Sequence, residues 1–408
     1  TAYEIGVRLV GSEMCIRDSF ISVLLIFLGS GIWVALSMIG VSAIGMMLFT
    51  SRPVGDAMAT TIWGTSSSWT LTALPLFVWM GEILFRTRLS ENLFKGLSPW
   101  MQKLPGGLIH VNVVGCALFA AISGSSAATV ATVGKMSIPE LRKRNYPEKI
   151  LLGSLAGSGT LGLLIPPSII LIIYGVAVQE SIAKLFIAGI LPGIMIALIF
   201  MSYVIFWSLI NKKQMPKIVE EYSIFEKIKR SKQLLPVIFL ISAVIGSIYT
   251  GIATATEAAS LGVVGALILS YFQKSLTLET FKTSLLGATK TSCMIAFILA
   301  GSTFLSLAMG FTGLPRNLAL WIQNMELSPY VLIFVLMIFY IILGMFLDGI
   351  SAVVLTMAII EPMIRQAGFD MIWFGIFLVV VVEMAQITPP VGFNLFVLQG
   401  MANKDMGY

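Results

Sequence analysis

Charge is what this sequence has least of. Only 11% of its 408 residues are Asp, Glu, Lys or Arg, against roughly 25% in soluble domains, and that excludes an ordinary soluble domain. Histidine occurs once, at His110, and cysteine three times, at Cys15, Cys116 and Cys293. One imidazole and three unrelated thiols exclude a His-based metal centre and a disulfide framework. No GxxxxGK[ST] loop occurs, so ATP is not expected as the direct energy source. The apolar runs do not alternate with polar residues, which excludes a transmembrane β-barrel. What the sequence does hold is hydrophobic residues, 57% of the chain, in runs long enough to cross a bilayer (about 20 residues). The fold class is an all-α polytopic membrane protein. The net charge of +6 is then a matter of orientation in the lipid bilayer, and no nucleic-acid partner is expected.

Apolar spans are predicted at 20–49, 70–85, 106–122, 150–178, 184–210, 233–272, 291–311, 329–347 and 371–402. Residues 1–19, TAYEIGVRLVGSEMCIRDS, differ from all of these and lack the basic start and apolar middle of a cleavable signal. They are expected to be a non-native or disordered lead-in. The most polar loop, 211–232, holds seven Lys or Arg against three Glu and is expected to be a cytoplasmic linker by the positive-inside rule. Segment 135–149, with five basic and two acidic residues, belongs on the same side, although four basic residues in 86–104 blur the bias.

The linker divides the chain into halves that echo each other. SGSSAAT, starting at Ser123, precedes the double proline at Pro166 by 43 positions; DGISAVV, starting at Asp348, precedes the double proline at Pro389 by 41. Each half thus has a small, polar stretch that can form a hairpin (near 123–145 and 348–366), a return helix, and a proline-broken helix. Paired interrupted helices at matching places are the pointer to a secondary transporter built from inverted repeats, here 20–210 and 233–408. The first hairpin is then expected to open to the cytoplasm and the second to the periplasm, which requires 233–272 to cross an odd number of times, most simply as one long or bent span. Amphipathic segments 53–68 and 274–290 also match and are expected to be interfacial arms.

At LTALPLFVWMGEIL (71–84), FAAISGSSAATVATVG (119–134), LGLLIPPSIILIIYGVAVQESIAKLFIAGILPG (161–193), GIATATEAASLG (251–262) and ITPPVGFNLFV (387–397), the chain closely resembles the large membrane subunit of tripartite ATP-independent periplasmic (TRAP) transporters. The likeness covers everything after about residue 20. It implies an elevator-type, sodium-driven importer of organic acids such as dicarboxylates or sialic acids, in the bacterial inner membrane. It also implies two partners, a small four-helix membrane subunit and a periplasmic substrate-binding protein. The family often has TPTEA where this chain has Thr254-Ala255-Thr256-Glu257-Ala258, which puts a proline-dependent turn there in doubt.

A helix broken at membrane depth frees carbonyls at one half-helix end and N–H groups at the other. Carbonyls and hydroxyls ligate Na⁺, while N–H ends, with about +0.5 charge, attract a carboxylate. The candidate sodium and substrate residues of the first half are therefore Ser123, Gly124, Ser125 and Ser126 at the tip. Gly157, Ser158, Gly159, Thr160, Pro166, Pro167 and Ser168 join them at the break. In the second half they are Asp348, Gly349 and Ser351 at the tip and Thr388, Pro389, Pro390, Gly392 and Asn394 at the break. The alternative reading makes the same glycines and serines helix-packing surfaces. Na⁺ is expected as coupling ion, with no organic cofactor.

Other polar residues have competing roles. Asp348 either orients the ion site or caps its helix; Glu82 and Glu257 read as caps or interfacial groups; Glu383 is a functional or structural carboxylate near the second break. Lys135 either meets an anionic substrate or snorkels to the interface. Trp63, Trp69 and Trp79 are expected in interface belts. Two other functions fit less well. A stand-alone anion carrier of the same superfamily would lack the two partners. An intramembrane serine protease would pair His110 with Ser123 or Ser125, although thirteen residues of one helix separate His110 from Ser123.

Overall fold

The structure is a computed structural model, and it describes residues 19–402 other than 21, 88, 217–221, 233, 314–327, 390 and 391, and without the side chains of 89–91 and 402. Eighteen residues of the expected lead-in, part of the expected linker, and Pro390 lie outside the described residues. Helices make up nearly all of what is described, and no strand occurs among the described residues. Four of the helices are long and apolar enough to cross a membrane, or up to seven spans if each bent pair counts as one.

The packing falls into two groups. One group contains Val34–Phe49, Ala73–Phe85, Leu235–Tyr249, Ala255–Phe272 and Leu278–Thr312. Val34–Phe49 lies along Leu278–Thr312, Ala255–Phe272 lies along Ala73–Phe85, and the two hosts pack on each other. Each half of the chain therefore lends a helix to the other half. The second group contains the first hairpin, Ile109–Ser123 and Ser126–Lys143, and the first broken helix, Glu148–Gly159 with Leu161–Leu164 and Ile169–Ala177. It also contains Ile182–Ile210, the second hairpin, Pro329–Gly344 and Gly349–Gln366, and the second broken helix, Met371–Gln386 with Phe393–Ala402. Exchange recurs here: Phe393–Ala402 packs on Ser126–Lys143, and Ile169–Ala177 packs on Gly349–Gln366. The groups meet where Ala73–Phe85 touches Ile109–Ser123 and where Leu278–Thr312 touches Gly349–Gln366.

Segment 233–272 is not one long or bent span. It folds back on itself as Leu235–Tyr249 and Ala255–Phe272, with Gly262 opposite Val244 and Gly265 opposite Leu240, the order of an antiparallel pair. The turn rests on Gly251 at φ +72°, a left-handed conformation that suits glycine. Thr254 then starts the second helix without a proline. Its hydroxyl accepts from Glu257 N (3.3 Å) and its own N–H donates to Glu257 Oε2 (2.8 Å), a reciprocal capping box that satisfies two otherwise free donors. Span 20–49 is likewise a pair, a helical stretch described at 19, 20 and 22–29 followed by Val34–Phe49, with Gly40 on Phe27 and Gly45 on Phe20.

The two expected arms differ. Val54–Ser66 is a separate helix, and it meets the helical run Trp69–Phe85 at 53°. Segment 274–290 has no separate helix; Leu278–Thr312 runs unbroken for 35 residues. Three consecutive serines, Ser66 to Ser68, mark the first junction, and serine side chains offer the backbone alternatives to helical bonding. The corresponding Lys290-Thr291-Ser292 continues the helix. Trp63 and Trp69 are exposed, but Trp79 packs edge-on against Phe281 and donates to Ser284 (3.4 Å), so it joins helices rather than facing an interface.

Candidate ion and substrate site

Both hairpin tips line one cavity of about 1210 Å³, with Ser123 to Ser126 on one side and Asp348 to Ser351 on another. Gln386 and Phe393, which flank the second break, line it too, as do Leu163 and Ile169 from the first. Val78, Gly81, Glu82 and Lys290 contribute the wall from the first group of helices. Among the described lining residues Lys290 is the only cation, and the carboxylates are Asp348 and Glu82, the latter paired with Arg86 at 3.0 Å.

The first tip is built around Gly124, which ends Ile109–Ser123 at φ +58°. A Cβ there would lie 2.8 Å from the Pro167 carbonyl. With no side chain in the way, Gly124 O accepts from Ile169 N (3.3 Å), so the tip is bonded to the far side of the break. Ser125 begins the descending helix, its hydroxyl accepting from Ala128 N (3.5 Å). Three oxygens converge beside it. Thr129 Oγ1 donates to Ser125 O (2.8 Å), Ser123 Oγ also donates to Ser125 O (3.2 Å), and the two hydroxyls are 2.8 Å apart. Gly162 packs over this cluster, where a Cβ would sit 2.6 Å from Ser125 O.

The break itself is closed. Pro166-Pro167 is a cis peptide, and the Ser168 hydroxyl both donates to the Leu163 carbonyl and caps Ile169–Ala177 by accepting from Leu171 N. Gly189 and Gly193 of Ile182–Ile210 cover it, and a Cβ on them would meet Leu164 O at 3.0 Å and Ile165 Cγ1 at 2.8 Å. Such small-residue spacing lets a helix approach backbone closely in a membrane. Upstream, Gly157 faces Phe200 and Gly159 faces Val130. Ser158 turns away from the cavity: its hydroxyl donates to Ser154 O (2.6 Å) and reaches Asn112 O (3.4 Å). Thr160 likewise donates to Gly157 O (2.7 Å). These four pack helices together; none of the expected residues at the first break lines the cavity, and neither do Thr388, Pro389, Gly392 and Asn394 at the second.

The second tip is simpler. Asp348 caps Gly349–Gln366 by accepting from Ser351 N (3.2 Å). At the second break the Thr388 hydroxyl donates to Met384 O (2.6 Å), and Gly392 turns the chain at φ +57°. Asn394 follows in the first turn of Phe393–Ala402, fully buried, with neither amide atom bonded. A buried amide without partners costs about 1–3 kcal/mol, so this residue stands out. Glu383 is buried as well, accepts from the backbone of Leu164, and leaves Oε1 without a partner.

Two residues were not legible as site residues. Gln386, buried at the end of Met371–Gln386, accepts from Ser126 Oγ at 2.7 Å. Thr129 closes the oxygen cluster. The local sequence gives no signal for Gln386; Thr129 follows Ser125 by one helical turn, a spacing that could have found it. The remaining singled-out groups lie outside the cavity lining. Glu257 is a cap, and Lys135 is exposed on Ser126–Lys143. His110 starts the helix that Ser123 ends, about 20 Å away at 1.5 Å per residue. Its Nε2 lies 2.8 Å from Pro105 O, and that geometry overturns the protease reading.

Two hairpin tips and two interrupted helices around one cavity, in an all-helical chain with spans for a bilayer, are the parts of a multi-pass membrane transporter and not of an enzyme. The chain belongs to the DctM component family of tripartite ATP-independent periplasmic transporters, whose family model matches residues 21–407. It is 33% identical over 366 residues to the C4-dicarboxylate TRAP transporter large permease protein DctM of Pseudomonas aeruginosa, covering 90% of this chain and 85% of that one. It is 30% identical over 372 residues to the sialic acid TRAP transporter large permease protein SiaM of Vibrio cholerae, covering 90% and 86%. The crystal structure of the Alcanivorax borkumensis YdaH transporter superposes with a TM-score of 0.63 over 94% of this chain and 92% of that chain, at 12% identity, a likeness of fold. Membership of the large-permease family displaces the stand-alone carrier reading.

Proposed function

We propose that this large permease imports an organic acid anion across the bacterial inner membrane, driven by sodium and supplied by a periplasmic binding protein, together with a small membrane subunit. The observation that carries the reading is the shared cavity. Both tips face it, and its mainly apolar walls carry one cation, Lys290, alongside the carboxylates of Glu82 and Asp348. Lys290 is exposed, so it attracts a carboxylate as a solvated cation, an attraction that weakens with salt. Relatives named for C4-dicarboxylates and for sialic acid support an acid as cargo and leave the particular acid to experiment.

Sodium has candidate ligands on both sides. At the first tip they are Ser125 O with Ser123 Oγ and Thr129 Oγ1; at the second break they are Asn394 Oδ1 and the lone pairs of Thr388 Oγ1. These are hard oxygen donors of the kind that suit small hard cations. The reciprocal packing of the halves supports the inverted-repeat reading, 20–210 against 233–408. The division into two helix groups supports an elevator: the hairpin group, with its site, moves against the group built on Ala73–Phe85 and Leu278–Thr312. Gly81 favours this, since it meets the Ile122 carbonyl with no side chain between.

The test is uptake into proteoliposomes holding the large and small subunits, with the genomic neighbour binding protein and radiolabelled succinate or N-acetylneuraminate outside. Uptake is expected only with an inward Na⁺ gradient and the binding protein together. Uptake that persists in choline, or that requires ATP, contradicts the proposal.

A further inference from the structure

Gln386 occupies an unusual position. It comes from the last turn of Met371–Gln386, before the second break, yet its Oε1 accepts from Ser126 at the first tip (2.7 Å). Its Nε2 lies against the second tip, 2.7 Å from where a Cβ on Gly349 would be. Gly349 is therefore the residue that allows the amide to lie there. Both Ser126 and Gln386 are almost wholly buried, at 4% and 3% exposure. One side chain thus touches two tips that are 225 positions apart in sequence, at the wall of the cavity they share.

We propose that Gln386 is a positioning residue that fixes the spacing of the two hairpin tips, so that sodium bound at one side is felt at the other. The inference rests on the sodium reading above for its functional consequence, but the tie itself is independent of it. A buried hydrogen bond from Ser126 orients the amide, because leaving either partner unpaired would cost more than the bond gains. An oriented amide in contact with Gly349 transmits any displacement of the first tip to the second. Contacts of this kind join two elements into one two-state unit, the physical requirement for coupling between sites. Gln386 ligates nothing in this account; it holds the groups that do.

The experiment uses the purified complex of large and small subunits, with NaCl titrated against choline chloride at constant ionic strength and unfolding temperature as readout. Gln386→Met keeps the volume and removes the amide; Ser126→Ala removes its partner. Each is expected to raise the sodium concentration for half-maximal stabilisation at least about 5-fold, and the double variant no further than the larger single effect, since both remove one interaction. Should Gln386→Met fail to assemble, Ser126→Ala alone carries this arm. Single shifts under 2-fold, or a double shift equal to the product of the two, overturn the proposal.

A second arm does not use sodium. In a background with Cys15, Cys116 and Cys293 replaced by serine, Ser351→Cys reports the second tip through its maleimide labelling rate in choline. Labelling at least about 3-fold faster when Gln386→Met or Ser126→Ala is added supports the tie. Equal rates overturn it. If the wild-type complex shows no sodium-specific stabilisation, the sodium reading fails, and the labelling arm alone decides on Gln386.

Discussion

The two breaks are written in nearly the same letters, IPPS and TPPVGFN, and they are finished differently. At the first, the Ser168 hydroxyl takes up the Leu163 carbonyl, Ile169 N donates to Gly124 O, and Gly189 and Gly193 press a neighbouring helix onto the kink. The polar groups described there are used by the protein itself. At the second, Asn394 is buried with neither amide atom bonded, and Glu383, one turn ahead of the break, keeps an oxygen unpaired. Native structures seldom leave such groups empty-handed without a reason. The first break therefore reads as a rigid mount for its tip, and the second as the place where an outside ligand completes the bonding. A proline pair opens a helix in either case; the neighbours decide whether the opening is filled by protein or left for an ion.

The largest expected effect falls on the mount. Gly124→Ala forces a side chain into a positive-φ position, costing about 1 kcal/mol, and drives its Cβ against the Pro167 carbonyl at 2.8 Å, an overpacking cost of about 1–3 kcal/mol. A loss of about 2–4 kcal/mol should show as a large drop in detergent-stable complex by size-exclusion chromatography. Gly349→Ala is the control at the other tip. Its nearest neighbours are side-chain atoms of Gln386 and Val382, so it should assemble better than Gly124→Ala; equal losses would erase the distinction between the tips.

Gly193→Leu comes next. It tests the cover over the first break, where Ile165 leaves no room, and about 1–3 kcal/mol of stability should go without a selective change in sodium response. A selective change would mean that this break also holds the ion directly.

A smaller effect is expected at Ser158. Its hydroxyl is spent on the Ser154 and Asn112 carbonyls, so Ser158→Ala should cost about 1 kcal/mol in thermal stability and leave the sodium titration unmoved. Ser123→Ala and Thr388→Ala should instead raise the sodium requirement about 5- to 150-fold, as expected for losing one ligand worth about 1–3 kcal/mol. Identical sodium titrations for all three would remove the contrast between packing serines and ion ligands. The smallest effect belongs to a region outside both breaks. Thr254→Ala removes the cap of Ala255–Phe272 and should lower stability by about 1 kcal/mol, seen as a modest fall in unfolding temperature at every sodium concentration.

Much of this architecture is legible in the sequence because it rests on local chemistry. Glycine, proline and hydroxyl clusters mark tips and breaks, and their repeated spacing pairs them across the halves. The capping box at Thr254 and Glu257 is legible too, as T-x-x-E ahead of an apolar run, and it replaces the proline of TPTEA. What the sequence conceals is direction. Ser158 sits in a motif with Gly157 and Gly159, but which way its hydroxyl points depends on Asn112, 46 positions away. Gln386 joins two tips that only the folded packing brings together. Segment 233–272 is long enough for one tilted span, and only the Gly262–Val244 and Gly265–Leu240 contacts show that it turns back. The 53–68 and 274–290 segments share an amphipathic pattern, yet a run of serines decides that one bends and the other does not.

The comparison of the two breaks comes to a single measurement, the sodium dependence of unfolding temperature for Asn394→Leu beside Ser168→Ala in the purified complex. Removing the unbonded amide of Asn394 should leave stability in choline unchanged or higher, because a buried polar group without partners is lost, while the sodium-induced rise is strongly reduced. Removing the Ser168 hydroxyl should lower stability in choline by about 1 kcal/mol and leave the sodium-induced rise intact. The opposite pattern, with Asn394→Leu unstable in choline but normal in sodium response and Ser168→Ala blind to sodium, would contradict the account.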